Sequence, residues 1–309
     1  MAIMHEVEMT AAEDGQRLDR YLRKLLPDTP LGAIFKMLRR GIIRVDGKKA
    51  QQSLRLAAGM RVTLPPSAVP RAVAGPPKKV AVHGSSSHLH PTIVHRDDDL
   101  LVVVKPAGLA VQPGSGQDFH VLTWLDAQVF GTRTATYRPA PVHRLDRGTS
   151  GLLVIGLSPA GSRSLADSFR ENQVQKSYMA VVEGVPKPPQ GTIEAPLLLR
   201  ETARAHQPKV RVDDRGKPAR TDYEVVEAGR KRALLHLRLH TGRTHQIRAH
   251  LGHIGSPIVG DRRYGAAAEQ GDAFYLHACE LKLPHPTNGK RLTFQSEIPE
   301  RFRKAVQLG

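Results

Sequence analysis

Cysteine is nearly absent from this chain: Cys279 stands alone in 309 residues. A single thiol excludes an internal disulfide and any cysteine-rich zinc centre. Its apolar surroundings, Phe274-Tyr275-Leu276-His277-Ala278, point to a buried structural thiol. Long apolar runs are missing too: no stretch approaches the length needed to span a bilayer, and the N-terminus lacks the apolar core of a signal peptide. Glu6, Glu8, Glu13 and Asp14 argue against an acid-poor transit peptide, so the expected compartment is the cytoplasm. No Gly-x-Gly-x-x-Gly fingerprint occurs, and Gly114-Ser115-Gly116 does not lead into a helix as a phosphate-binding loop does. His245, His250 and His253 are spaced by five and three residues with no carboxylate or cysteine nearby, which is not the spacing of a zinc helix. Neither a metal nor a cofactor is expected. The last shortage is of acid. Lysine and arginine outnumber aspartate and glutamate 46 to 29, a formal +17, and an excess of that size points to a polyanionic partner, most simply nucleic acid.

What the chain does have is length and core enough for two domains, with 40% hydrophobic residues. Positive charge is densest near the N-terminus, where residues 17 to 55 hold eleven Lys/Arg against three Asp/Glu. Leu18, Tyr21, Leu22 and Leu25 carry helical spacing. Ile34, Met37 and Leu38 give a second short helix ended by Gly41, and Ile42-Ile43-Arg44-Val45-Asp46-Gly47 reads as a strand and tight turn. Residues 65–91 are crowded with Pro, Gly, Ser and Ala and have no apolar period, as in an extended linker. Strands resume at Thr92-Ile93-Val94-His95 and at Leu100 to Val104, broken by Lys105-Pro106-Ala107-Gly108. Ser158-Pro159 starts a helix as N-cap and first-turn proline. Lys176 to Gly184 reads as a strand, and residues 185–220 as irregular structure with short strands. Thr221 to Val226 and Ala233 to His240 pair around Gly229. A helix follows in which Ile247, Leu251 and Ile254 mark the buried face, with Arg248 beside it. The tail supplies a strand near 274 to 281, an Asn288-Gly289 turn, a strand near 291 to 294 and a helix from Pro299.

The most informative stretch is Val142-His143-Arg144-Leu145-Asp146-Arg147-Gly148-Thr149-Ser150-Gly151, running into Leu152-Leu153-Val154-Ile155. It places one carboxylate in a tight loop between two arginines, bounded by glycines where the backbone must bend and by an apolar run that reads as a buried strand. His-Arg-Leu-Asp-x-x-Thr-Ser-Gly before such a strand resembles the signature of the RluA family of RNA pseudouridine synthases. In that family the aspartate, here Asp146, is the essential catalytic residue. Lys105-Pro106-Ala107-Gly108 after a strand is a second likeness. Lys176-Ser177-Tyr178-Met179-Ala180-Val181-Val182-Glu183-Gly184 matches a further motif, whose tyrosine, here Tyr178, is implied to stack on the target base. Gly242-Arg243-Thr244-His245-Gln246-Ile247-Arg248-Ala249-His250-Leu251, followed by Gly255 to Asp261 and by Tyr264-Gly265, matches a third. Its second arginine, Arg248, is implied to pair with the catalytic aspartate, and an arginine fork is able to grip a carboxylate bidentately.

The other polar residues of these motifs, His143, Arg144, Arg147, Thr149, Lys176, Arg243, His245 and Gln246, are assigned to substrate binding. The N-terminal order of two helices, glycine, strand and Asp-Gly resembles the alpha-L RNA-binding domain named after small-subunit ribosomal protein S-four, through Arg17-Leu18-Asp19, Leu38-Arg39-Arg40-Gly41 and Val45-Asp46-Gly47. Leu31-Gly32 depart from its usual Ser-Arg. Arg39, Arg40 and Arg44 are its expected RNA contacts, and the stretch from Leu38 to Val45 looks most like RluC-type members. The resemblances imply an α+β chain: an RNA-binding domain over 1–64, a linker over 65–91, and a catalytic domain over 92–309 built on a mixed, mainly antiparallel sheet.

The implied reaction turns uridine into pseudouridine without a cofactor. The implied partner is RNA, large-subunit ribosomal RNA for members that carry the N-terminal domain, with the chain acting as a monomer. A glycoside hydrolase would need two carboxylates flanking the bond, whereas these motifs converge on one. Two readings compete: a transfer-RNA synthase, and a noncatalytic ribosome-associated protein on a degenerate scaffold. The second would show erosion at 146, 178 or 248, and none is eroded.

Overall fold

The computed structural model describes residues 4–11, 13–68, 89–114, 119–128, 136–200, 209–266 and 273–307. Most of the expected linker, and Ser115-Gly116, lie outside them.

The N-terminal elements are β1 (His5–Glu8), α1 (Leu18–Leu25), α2 (Leu31–Arg40), β2 (Arg44–Val45), β3 (Lys48–Lys49) and β4 (Arg61–Leu64). The four strands form their own sheet in the order β1-β4-β2-β3. Helical spacing in α1 turns Leu18, Tyr21, Leu22 and Leu25 inward, α2 adds Ile34 and Leu38, and these close a core with Val45, Val62 and Leu64. Ala68 also packs into this core, four residues past the expected edge. Gly41 ends α2 at φ 68°, a left-handed conformation that glycine adopts without strain. Ile42-Ile43 are consumed in leaving the helix, so the strand is two residues long rather than four.

The remainder is a ten-stranded sheet and a separate two-stranded pair, with helices against them. In chain order it contains β5 (Thr92–Arg96), β6 (Leu100–Lys105), α3 (Val121–Gln128), β7 (Ala140–Pro141), β8 (Ser150–Gly156), α4 (Pro159–Arg170), β9 (Gln175–Glu183) and β10 (Gln190–Glu194). There follow β11 (Leu197–Arg200), β12 (Lys209–Val212), β13 (Arg220–Ala228), β14 (Arg232–Leu239), α5 (Gln246–His253), β15 (Leu276–Pro284), β16 (Arg291–Gln295) and α6 (Arg301–Gln307). The sheet runs β10-β13-β14-β9-β15-β8-β6-β5, with β16 on β15 and β7 on β8, while β11 and β12 form a separate pair. All described strand pairs are antiparallel except β8 with β15. The architecture is therefore α+β with a mixed, mainly antiparallel sheet. Strands β8 and β9 are buried over nearly their whole length because side chains pack on both faces. Ser158 caps α4 by accepting from the Gly161 amide, with Pro159 in the first turn.

Two local expectations change. Ile254 is 37% exposed, because the last turn of α5 has already swung off the core. Cys279 is only half-buried, although burial still raises its thiol to about 11. Among the described residues, no helix is long and apolar enough to cross a membrane.

Candidate active site

Asp146 sits where two loops are bolted together. Leu145 points into the main core at 5% exposure and anchors one side of the loop. The Thr149 amide donates to the Asp146 carbonyl and closes the turn. Immediately beyond, β8 runs parallel to β15, with Ser150 opposite His277 and Gly151 opposite Ala278. At Gly151 φ is +112°, and a Cβ there would fall 2.3 Å from the Ala278 carbonyl oxygen, so only glycine permits this approach. The second loop follows β6. Lys105, fully buried, turns its Nζ onto three backbone carbonyls: Pro106 at 2.9 Å, Leu109 at 2.8 Å and Arg147 at 3.2 Å. Burial lowers its pKa to about 7, and the nearby Asp146 charge opposes the fall. The Gly108 amide adds a bond to the Arg147 carbonyl, and Arg147 Nε returns one to the Gly108 carbonyl.

Arg248 enters from α5 and reaches Asp146 with one bond, Nη1 to Oδ2 at 2.8 Å. The expected bidentate grip goes elsewhere. Nε and Nη2 clasp Asp261 at 2.6 and 2.8 Å, and Asp261 is buried at 2% exposure. The guanidinium also lies 4.5 Å from the centroid of Phe274 and 5.1 Å from that of Tyr264. Burial alone would lower the Arg248 pKa, but the Asp261 bonds and the charges of Asp146 and Asp261 raise it, so the cation is permanent. An arginine held on three sides has one geometry to offer Asp146.

Tyr178 lies on β9, opposite Leu237 of β14 and Ala278 of β15, in the middle of the sheet. Burial, then the Asp146 charge, raises its pKa, so the hydroxyl keeps its proton. Its hydroxyl has no hydrogen-bond partner among the described residues. His245 caps α5 from a left-handed conformation, φ 53°, that few non-glycine residues adopt. Its Nδ1 is 2.9 Å from the Tyr264 hydroxyl and its Nε2 3.8 Å from Asp146 Oδ2. Burial lowers it to about 4 despite Asp146, which leaves the ring neutral at pH 7.

An opening of about 500 Å³ spreads over Asp146, lined by Tyr178 and by four cations, Arg144, Arg170, Lys176 and Arg243. A recess of about 80 Å³, lined by Asp146, Tyr178, Arg248, Leu145, Ile247 and Leu276, adjoins the same two side chains. A carboxylate, an aromatic ring and a ring of cations suit an anionic, planar ligand. Other sequence candidates have structural tasks. His143, half-buried and pushed down to about 3 by burial, accepts from the Val154 amide and stacks on Phe169 at 4.6 Å. Thr149 is buried. The Gln246 amide is fully engaged, with Thr241, the Arg243 amide, the Arg220 carbonyl and Thr221. Arg39, Arg40 and Arg44 lie in the N-terminal unit, outside both cavities, and Arg44 bonds the Gly41 and Gly47 carbonyls. His250 bonds Thr221 and the Ala195 carbonyl, and no cluster among the described residues is placed to hold a metal.

Sequence reasoning gave Asp261, Tyr264, Phe274 and Lys105 no role. Asp261 and Lys105 stood inside the quoted motifs, and for Lys105 a charge at the end of an apolar strand, Leu100 to Val104, was the available signal.

This fold and this Asp–Arg–Tyr constellation define a class: the chain belongs to the RNA pseudouridylate synthase family, whose profile matches residues 99–253. It is 36% identical, over 97% of its length and 95% of the relative's, to the ribosomal large subunit pseudouridine synthase C of Escherichia coli (strain K12). Against the protein of the same name from Vibrio vulnificus (strain CMCP6) the figures are 35%, 95% and 92%. Among solved structures, human RNA pseudouridylate synthase domain containing 4 superposes with a TM-score of 0.57 at 26% identity, covering 70% of this chain and 91% of that one. Human RNA pseudouridylate synthase domain containing 1 gives 0.57 at 28%, covering 68% and 84%. The chain is an isomerase that converts uridine in RNA to pseudouridine.

Proposed function

We propose that this enzyme acts on particular uridines of large-subunit ribosomal RNA, with Asp146 as its reacting carboxylate. Pseudouridine formation breaks the bond from uracil N1 to the ribose, turns the base and rejoins it through C5. The observation that carries the assignment is the carboxylate of Asp146 at the floor of a cationic opening, held by an arginine that is itself clamped from behind. In this reading Arg248 orients Asp146, and Tyr178 offers its ring to a base that has been taken out of its stack, offsetting part of the unstacking cost. Arg144, Lys176 and Arg243 meet the flanking phosphates. Residues 4–68 act as a separate RNA-binding module and 89–307 as the catalytic one, in a cytoplasmic monomer.

Support for the ribosomal target comes from relatives named for the ribosomal large subunit that align over nearly their whole length, N-terminal module included. The +17 charge and the eleven basic residues in 17–55 point the same way. A map of pseudouridine in ribosomal and transfer RNA, from cells with and without the gene, tests it. Sites lost from large-subunit RNA are expected. Loss confined to transfer RNA would overturn the target and leave the chemistry at Asp146 standing.

A further inference from the structure

A second cavity, of about 580 Å³, lies between α1 and α4 and gathers five cations: Arg17, Arg20, Lys24 and Arg55 from the N-terminal unit and Arg163 from α4. Two bonds join its walls. Thr136 Oγ1 donates to Glu13 Oε1 at 2.8 Å with both residues buried, and Arg163 Nη2 donates to the Asp14 carbonyl at 2.9 Å. Arg17 is paired with Asp19, but Arg55 and Arg163 reach backbone carbonyls, which neutralise no charge. Burial, then the neighbouring Arg163 and Arg20, lower the pKa of Lys24, and the charge of Glu13 opposes the fall without reversing it.

Helix α4 ties this cleft to the active site. Its first turns, through Pro159, Ser162 and Arg163, line the cleft, and its last turn, through Phe169 and Arg170, lines the opening over Asp146. Arg163 and Arg170 are seven residues apart, two turns less about 20°, so they lie on one exposed face about 10 Å apart. Ala166 between them is also exposed, and Asp167 on the same side of the helix pairs with Arg170 at 2.7 Å and partly neutralises that end.

We propose that the cleft between α1 and α4 is a second grip on the substrate RNA, holding phosphodiester groups of the strand that runs along α4 from the uridine at Asp146. The inference rests on the RNA-isomerase reading and adds a site to it. Crowded, incompletely neutralised cations facing one another are costly in the free protein and are relieved by a polyanion. The α4 stripe gives that polyanion a direct route between the two cavities.

The test is the salt dependence of binding by the full-length protein to a long structured RNA, measured without turnover, with ribosomal and transfer RNA run in parallel. Replacing Arg20, Lys24 and Arg163 by glutamine together should reduce the slope of log affinity against log salt by roughly two to three. Arg20→Lys with Arg163→Lys, which keeps the charge, should preserve it. A control, Arg303→Gln with Lys304→Gln on α6, should change the slope by less. An unchanged slope in the triple variant overturns the proposal, as does an equal loss in the control. If the triple variant fails to melt cooperatively, Lys24→Gln alone should lower the slope by about one, and no change there is equally fatal. Inorganic phosphate that stabilises the parent but not the triple variant, with RNA slopes alike, would make the cleft a small-anion site instead. An error about which RNA is modified would appear in the pseudouridine map and leave these slopes as they are.

Discussion

Asp146 receives one hydrogen bond from Arg248 while Asp261, behind it, receives two. The asymmetry has consequences for substitution. Asp146→Asn is nearly isosteric and should fold normally, since Arg248 keeps its clamp on Asp261. It should form no detectable pseudouridine, because the amide has lost both charge and basicity. Turnover retained in that variant, measured on RNA the parent modifies, would end the proposed role. Arg248→Ala should cost stability as well as activity. It strands the buried Asp261 carboxylate, a loss of about 3–5 kcal/mol when one partner of a buried pair is removed. Arg248→Lys restores a charge but cannot bond two carboxylates through a planar fork. The expected order in denaturant melts and in single-turnover rates is therefore parent, then lysine, then alanine. Equal stability of the alanine variant and the parent would mean that Asp261 is not held in this way.

At the scale of elements, the important object is the pair of loops after β6 and before β8. Lys105 ties them together, bonding the Pro106 and Leu109 carbonyls of its own loop and reaching across to the Arg147 carbonyl, which also accepts from the Gly108 amide. Lys105→Met should lower stability by about 2–3 kcal/mol and let residues 146–149 drift, reducing turnover more than RNA affinity. The same residue gives a pH signature. Its folded pKa of about 7 lies below the ordinary lysine value of 10.5, so between those values the unfolded chain holds a proton that the native chain has released. Stability from this group therefore rises as pH rises through that window, and Lys105→Met should flatten the rise. Melting temperature against pH for the two proteins is the measurement. Parallel curves would show that Lys105 stays protonated in the fold.

At the scale of the molecule, an N-terminal core built entirely from residues 7–68 argues for two units that fold apart. A fragment starting near Thr92 should melt cooperatively and keep its secondary structure, while losing affinity for long RNA and part of its salt dependence. A fragment that is unfolded alone would move the boundary, and the Thr136–Glu13 bond names the contact it would then need.

Much of this was legible in sequence because it is local. Helical spacing in α1, the Ser158-Pro159 start of α4 and the apolar run of β8 depend on neighbours within a few residues, and the motifs around Asp146, Tyr178 and Arg248 marked the site. What sequence could not assign was the partner of each charge. Arg248 looked like a fork for Asp146, yet its fork closes on Asp261, thirteen residues away and brought close only when α5 packs against the segment after it. Gly151 read as a bend, and its reason is the carbonyl of Ala278, delivered by a parallel strand from far along the chain. Ile254 carried the helical period but lies past the last packed turn. Local pattern determines which residues are charged, apolar or bent, whereas pairing depends on distances that exist only after long-range strands have met. The cations between α1 and α4 become a cleft for the same reason.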